Sequence, residues 1–400
     1  MASSTAAPGM PARLFPVITI MVFLVMMDSR VMTAMLPDIA RDLNSTIEAT
    51  GIAITMYLIA YGVFQLAYGP IADRIGPVKV MSAAAIVLAA ILGFTVFVTS
   101  MPALVGLRLI AGAVAAAFFP LALATVGRLV PYEQRQQTIG SLLAAVALGQ
   151  ILGAALGGFV TEWISWRAMF ALNAVITVGM VAFLWQLRGS VGGTAPSGAM
   201  FAAHLRILRN SRAMWISLVV LLEGAAIFGG GAYIGALLND GFGVSLVTVG
   251  LVLMLEGAAI FLTSRNLKRI LPRLGENRAI ALGAAMMAAG FLLPWMFTTW
   301  VSVIPGVLLI GAGFSICHST LQTRATTVDP EAQGTMISIF AFSLFLGGAV
   351  GTAAFGWILA AFDYSALLLG SGVVLMVVAI IAPRLTEATP QEPTSTAASS

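Results

Sequence analysis

Between two apolar runs, residues 49–70 and 80–99, the chain reads Gly69-Pro70-Ile71-Ala72-Asp73-Arg74-Ile75-Gly76-Pro77-Val78-Lys79. Each run matches the ~20 residues an α-helix needs to cross the hydrocarbon of a bilayer. Neither run holds an ionisable side chain other than tyrosine, and the charges Asp73, Arg74 and Lys79 are confined to the link. Glycine and proline at both ends of the link favour a tight turn. The segment therefore predicts two membrane-spanning helices joined by a short charged hairpin at the membrane surface.

The same pattern repeats outward in both directions. Hydrophobic residues make up 60% of the 400 and charged residues 9%, with a mean hydropathy of +1.00. A soluble domain carries roughly 25% charged residues, so the aqueous parts are expected to be small or absent. Apolar runs predict spans at 14–36, 49–70, 80–99, 102–125, 138–161, 165–186, 213–237, 244–264, 279–299, 301–323, 334–360 and 364–383. The expected class is an all-α integral membrane protein of twelve transmembrane helices. Its parts are a tail 1–13, an N-terminal bundle 14–186, a linker 187–212, a C-terminal bundle 213–383 and a disordered tail 384–400.

The basic residues sort between alternate loops. Arg13, Arg74, Lys79, Arg128, Arg135, Arg188 and ten more fall on one side, and only Arg41 and Arg167 on the other. Loops rich in Lys and Arg stay in the cytoplasm. Both termini are therefore expected there, in a multi-pass protein of the inner membrane. The linker begins with a flexible stretch, Gly189–Gly198. A run follows with Phe201, Leu205 and Leu208 on one helical face and Arg206 and Arg209 on another, as in a helix lying on the membrane surface; an ordinary linker reads equally well.

An internal repeat is visible. Gly140, Gly153 and Gly157 recur as Gly334, Gly347 and Gly351, and Gly112 recurs as Gly306, each 194 residues later. Asp28 falls one residue from register with Glu223. Parallel six-helix halves with a solute site between them are a known transporter plan. The halves are expected to be pseudo-symmetric.

Four motifs then stand in order: Met27-Asp28-Ser29-Arg30 ahead of Leu36-Pro37; the Gly69–Lys79 loop; Arg108 followed by Gly112; and Gly140, Gly149, Gly153-Ala154 and Gly157-Gly158 in the fifth run. In these the whole chain resembles the major facilitator superfamily, and most of all its drug:proton antiporter branch. Two departures are present. Pro77-Val78 intervene before Lys79, where the family has a basic pair after the glycine, and Ala154 replaces a proline. The resemblance implies that Gly69, Asp73, Arg74 and Gly76 form a conformational latch. It also implies that the fifth helix packs across the two halves through Gly140, Gly149, Gly153, Gly157 and Gly158. Physically, Asp73 can accept hydrogen bonds from a nearby helix N-terminus in one state and lose them in the other. The glycine stripe admits close helix approach. In the second half the loop is degenerate: Arg265, Lys268, Arg269, Arg273, Gly275 and Arg278 remain without the acid.

Asp28, Arg30, Arg108, Glu223 and Glu256 fall inside spans, where a charge costs ~2.5–3.5 kcal/mol and is by default functional. At a rise of ~1.5 Å per residue, Asp28 and Arg108 reach similar depth and can pair. Glu223 and Glu256 lie near the midplane. Desolvation favours the protonated carboxyl and a nearby arginine the ionised one. Asp28 is therefore expected to couple protons with Arg108 tuning it, and Glu223 and Glu256 to bind solute or a second proton. For Arg108 a structural tether, and for Glu256 a backbone-bonded buried acid, are the alternatives. Arg30 is expected to snorkel outward without a role. Tyr57, Tyr61 and Phe64 read as core packing ahead of a cavity lining. Trp163 and Trp166 read as interface anchors, and His318 as hydrogen-bonded packing.

Proton-coupled export of a small organic solute by alternating access follows as the leading expectation. No cofactor is needed, since the proton gradient supplies the energy. The expected partners are the solute, protons and the lipid bilayer, with no nucleic acid, and the protein is expected to be monomeric. Uptake of a sugar or organic acid by symport is the alternative. A membrane enzyme is disfavoured, since lone Cys317 with distant His204 and His318 supplies neither a nucleophile–base set nor a zinc site. No Gly-rich loop followed by Lys-Ser/Thr is present for ATP.

Overall fold

The computed structural model describes residues 11–193, 199–329 and 332–385; the side chains of 199–203 and 385 are outside it. The expected disorder beyond Thr386, the end of the flexible stretch before Ala199 and the ring of Phe201 lie outside the described residues. Among the described residues, twelve helices are long and apolar enough to cross a membrane. Spans 1–6 are Leu14–Asp42, Ile47–Ile75, Pro77–Thr95, Met101–Leu129, Tyr132–Trp163 and Trp166–Leu187. Spans 7–12 are Ser211–Gly241, Leu246–Leu274, Glu276–Met296, Trp300–Thr326, Gln333–Ala361 and Tyr364–Arg384. A linker helix covers Ala199–Leu208. Its Ile207 is buried, whereas Leu205 and Leu208 are exposed.

Several helices outrun their apolar runs, because polar residues continue the backbone pattern once the hydrocarbon ends. Span 1 passes through Pro37 to Asp42, and span 5 begins at Tyr132 rather than 138. Side-chain caps fix many starts: Thr46, Ser165, Asn210 and Ser245 each accept from a backbone N–H three residues on, satisfying donors a helix leaves free. Gly76 turns span 2 into span 3 at φ 100°, and Gly275 turns span 8 into span 9 at φ 71°, a region open to glycine. Span 4 breaks between Ala115 and Phe118. Pro120 has no N–H for the carbonyl of Ala116 and opens the helix there. Span 7 carries two π-helical segments, Ala225–Gly230 and Leu237–Gly241.

The repeat is real in space, with a register more varied than one offset. Gly153 and Gly157 of span 5 press on Met27 and Val31 of span 1; Gly347 and Gly351 of span 11 press on Leu221 and Ala225 of span 7. These contacts keep the interval of 194. Gly112 of span 4 meets the Tyr57 carbonyl in span 2, and its counterpart is Gly311 on the Glu256 carbonyl in span 8, 199 residues later. Gly306 packs instead on Gly290 of span 9, so the match of Gly112 to Gly306 is corrected. The extra five residues accrue between Ala225 of span 7 and Glu256 of span 8, a stretch that holds both π segments, and are given back between Gly311 of span 10 and Gly347 of span 11; a π turn is one way a helix absorbs an inserted residue.

The two bundles meet along two seams. Span 5 meets span 8: the Glu162 carboxylate accepts from the Leu246 N–H at 2.7 Å, Gly158 abuts the Leu246 carbonyl, and Gly250 abuts Ala154. Span 2 meets span 11, with Tyr61 against Phe345 at 4.4 Å between centroids. Arg41 also donates to Asn239 at 3.1 Å. All these contacts lie from mid-span to the end opposite the basic loops. Toward the basic end Gly140 and Gly334 face open space, and residues 63–71 of span 2, 132–141 of span 5 and 261–274 of span 8 are largely exposed or half-buried, so a cleft opens between the bundles there.

Candidate functional site

At the closed head of the cleft a small cavity is lined by Arg30, Thr33, Gln150, Ala154, Leu253, Glu256 and Gly257. Spans 1 and 5 of one bundle and span 8 of the other supply it. Arg30 donates from Nη2 to Glu256 Oε1 at 3.0 Å, and its guanidinium lies 5.5 Å over the Phe228 ring of span 7. This corrects one expectation and removes one alternative. Arg30 does not snorkel away but bridges the bundles, because the stripe of span 5 holds span 1 beside span 8. Glu256 is bound by that arginine and not by backbone. Sequence reasoning missed the pair; the usable signal was Arg30 and Glu256 at matching depth in separate halves.

Asp28, two residues before Arg30, points into its own bundle. Its Oδ2 accepts from Arg108 Nη2 at 2.8 Å, with both side chains 1% exposed. The expected pairing of spans 1 and 4 is thus present. Tyr57 and Phe170 flank the guanidinium at 5.1 Å each. Among the described residues, Asp28 Oδ1, Arg108 Nε and Tyr57 Oη have no hydrogen-bond partner. Three unsatisfied polar atoms in one buried knot are costly, and they leave room in the chemistry for an added proton. Tyr57 and Tyr61 are buried and stacked, as core packing predicts, whereas Phe64 is exposed.

Glu223 is fully buried in span 7, and its Oε2 lies 2.9 Å from His318 Nδ1 of span 10. Cys317, next to His318 in span 10, is buried as well. His318 stacks on Phe314 at 4.6 Å. His318 is hydrogen-bonded and packed, as expected, but its partner is a carboxylate that sequence alone did not assign. Glu223 and Glu256 do not share a site: the first pairs inside the C-terminal bundle, the second across bundles.

The basic-end loop forms a tie of a different kind from the one expected. Asp73 accepts from Arg128 Nη2 of span 4 at 2.6 Å, so a side chain and not a helix N-terminus is its partner. Arg128 also donates to the Gly192 carbonyl at 3.3 Å. A Cβ on Gly76 would lie 2.5 Å from the Val191 carbonyl, and Gly193 abuts Arg74. The loop therefore holds down the start of the linker. Gly69 faces open space. The second half has its acid after all: Glu276, just past Gly275, accepts from Arg324 Nε at 2.8 Å. Its displacement across the glycine hid it from the motif.

The glycine stripe is also redistributed. Gly149, Gly153 and Gly157 pack on span 1 of the same bundle, and Gly140 packs on nothing; only Gly158 touches the other bundle. The cross-bundle seam is built by Gly158, Gly250 and Gly257. The stripe and the seam lie on different faces of one helix, which the spacing of glycines could not separate. Trp163 is exposed, as an anchor would be. Trp166 is buried and donates to Asp42 at 3.2 Å, so it ties spans 1 and 6 and is no anchor.

Two six-helix bundles meet around a small cavity lined in part by an ion pair, within the membrane-spanning region, the architecture of a membrane transport protein. The family model of the Major Facilitator Superfamily matches residues 18–352. The chain belongs to that superfamily. It is 24% identical to a chloramphenicol resistance protein of Pseudomonas aeruginosa over 79% of this chain and 77% of that one. It is 26% identical to the putative multidrug resistance protein MdtD of Escherichia coli strain SE11, over 75% of this chain and 60% of that one. Among solved structures, a peptide transporter in complex with sulfate superposes with a TM-score of 0.78 at 12% identity, covering 95% and 97% of the two chains. A D-xylose–proton symporter superposes at 0.74 with 17% identity, covering 92% and 95%. Those superpositions show the shared fold.

Proposed function

We propose that this chain exports a small organic solute in exchange for protons, by rocking its two bundles around the central cavity. The observation that carries the reading is the Arg30–Glu256 pair, which joins the bundles at the closed head of the cleft. A solute entering the cleft competes for these groups, and breaking the pair frees the bundles to reseat with the cleft on the other side. The Asp28–Arg108 pair lies two residues away along span 1. Protonating Asp28 neutralises one member of a dry ion pair and changes how span 1 is held, which links proton binding to the same helix that bears Arg30. The positive-inside rule puts the basic end, and so the open cleft, in the cytoplasm of an inner-membrane protein. The proton gradient is the energy source, and the unit is a monomer. Relatives named for chloramphenicol and multidrug resistance support a drug-like solute.

Uptake by symport is the second reading, favoured by Ala154 standing where antiporters of the family carry proline. Inside-out vesicles acidified by respiration, with a pH-sensitive dye, separate the two. A drug or metabolite that collapses the gradient in wild type but not in Asp28→Asn supports antiport. A response from sugars or organic acids alone supports symport. Equal responses in wild type and variant remove Asp28 from the coupling role.

A further inference from the structure

We propose that Glu223 and His318 form a second proton-binding site in the C-terminal bundle, independent of Asp28–Arg108. It rests on the transport reading for its use but not for its existence. The two buried carboxylates differ in their partners. Arg108 does not give up its proton in a protein, so the N-terminal pair exchanges a proton only at Asp28. Glu223 is paired with an imidazole, the side chain whose ordinary titration falls near neutral pH. The Glu223–His318 pair can therefore hold no proton, one, or two.

Its geometry suits exchange. Glu223 is 0% exposed and its Oε1 has no partner among the described residues. The His318 side chain, 16% exposed, stands on the more open side of it. A proton reaching His318 needs one hydrogen bond, 2.9 Å long, to pass to the carboxylate. The rings of Phe314 and Phe340 hold the imidazole at 4.6 and 5.0 Å, which fixes the nitrogen facing Glu223.

Of the charged groups on the helices packed against span 10, Glu256 of span 8 is held by Arg30 and Glu276 of span 9 by Arg324. Cys317 of span 10, buried beside His318 in the chain, is a further titratable group. Span 11 has no Asp, Glu, Lys, Arg or His over 333–361, and span 12 has only Tyr364 and Arg384 at its ends. Span 7 itself adds Arg212 and Asp240 near its ends and Tyr233, which donates to the Thr352 carbonyl. The pair is nonetheless linked to the cavity. His318 stacks on Phe314, Phe314 meets Phe228 at 6.5 Å, and Arg30 lies over Phe228. A positive charge gained at His318 therefore acts at the ring that seats Arg30.

The chain has two histidines, His204 and His318, so nitrogen NMR of the purified full chain labelled with 15N-histidine reads the site without a solute or gradient. A His204→Gln variant assigns the resonances. The expected result is that the ring-nitrogen resonances of His318 change with pH. The midpoint of that change moves in Glu223→Gln, which removes the carboxylate 2.9 Å away, and stays unmoved in Asp28→Asn. If Glu223→Gln does not fold, Glu223→Asp replaces it, and a moved midpoint again supports the site. A His318 that keeps one protonation state throughout, or that titrates identically with and without the Glu223 carboxylate, overturns the proposal. A titrating pair in a protein that moves no proton in the vesicle assay leaves this site standing and removes the export reading instead.

Discussion

Arg30 of span 1 and Glu256 of span 8 are 226 residues apart in the chain and 3.0 Å apart in space. Between them they join the two bundles where the cleft closes. Arg30→Gln or Glu256→Gln leaves a partly buried charge without its partner, a loss of ~2 kcal/mol or more. Either variant is expected to lower solute transport at least tenfold. The double variant removes the stranded charge and recovers thermal stability, but transport stays low. Equal transport in wild type and the double variant would remove the pair from the mechanism.

The same pair sets the balance between conformations. Spin labels at Gly140→Cys and Gly334→Cys, in a Cys317→Ser background, report the width of the cleft, because both glycines face open space. The inter-label distances are expected to shift toward a narrower cleft in Glu256→Gln. An unchanged distribution would mean that the Arg30 contact does not hold the open form.

Asp28 and Arg108 are each 1% exposed. Removing one member of such a pair costs ~3–5 kcal/mol by stranding the other. Asp28→Asn is therefore expected to lower the unfolding temperature in detergent as well as to lose proton coupling. Asp28→Asn with Arg108→Gln is expected to regain most of the stability and none of the coupling. A stable but uncoupled double variant separates the tether from the proton role.

Glycines of span 5 answer differently by face. A Cβ on Gly153 would lie 2.6 Å from the Met27 carbonyl inside one bundle, and Gly153→Ala is expected to destabilise by ~1–3 kcal/mol. Gly158→Ala meets Leu246 of the other bundle. It is expected to fold normally and bias the protein against the state in which that seam is closed. Gly140→Ala is expected to be silent or slightly stabilising, by up to ~1 kcal/mol. Folding yield and the spin-label distances distinguish the three.

The two basic-end ties, Asp73–Arg128 and Glu276–Arg324, involve partly exposed carboxylates. The Asp73–Arg128 pair, partly exposed on both sides, contributes ~0–1 kcal/mol to stability, and the buried Arg324 keeps Asn277 as a partner when Glu276 is replaced. Asp73→Asn and Glu276→Gln are expected to leave the fold intact and to change the conformational balance a few-fold. The Asp73 effect should shrink at high salt, as screening demands. Loss of folding in either variant would make the tie structural instead.

Twelve spans, two halves and the depth of five intramembrane charges were legible in the residues, because the bilayer imposes one length and one polarity on every helix that crosses it. The pairing of Asp28 with Arg108 was legible too, since both lie in the first bundle at one depth. Arg30, His318 and Glu276 were not. Each takes its role from a partner on another helix: Glu256, Glu223 and Arg324. A charge count along the chain gives depth but not azimuth, and azimuth selects the partner.

The glycines draw the same line. Their spacing along span 5 determined that helices approach closely there. Only the tertiary structure decided that Gly149, Gly153 and Gly157 serve span 1 while Gly158 serves span 8. Hydropathy and the repeat, by themselves, determined that this is a two-bundle membrane protein, because solvent acts on each segment separately. Which charges meet and which end stands open depended on how the bundles are packed together, a property of contacts between segments that no single segment contains.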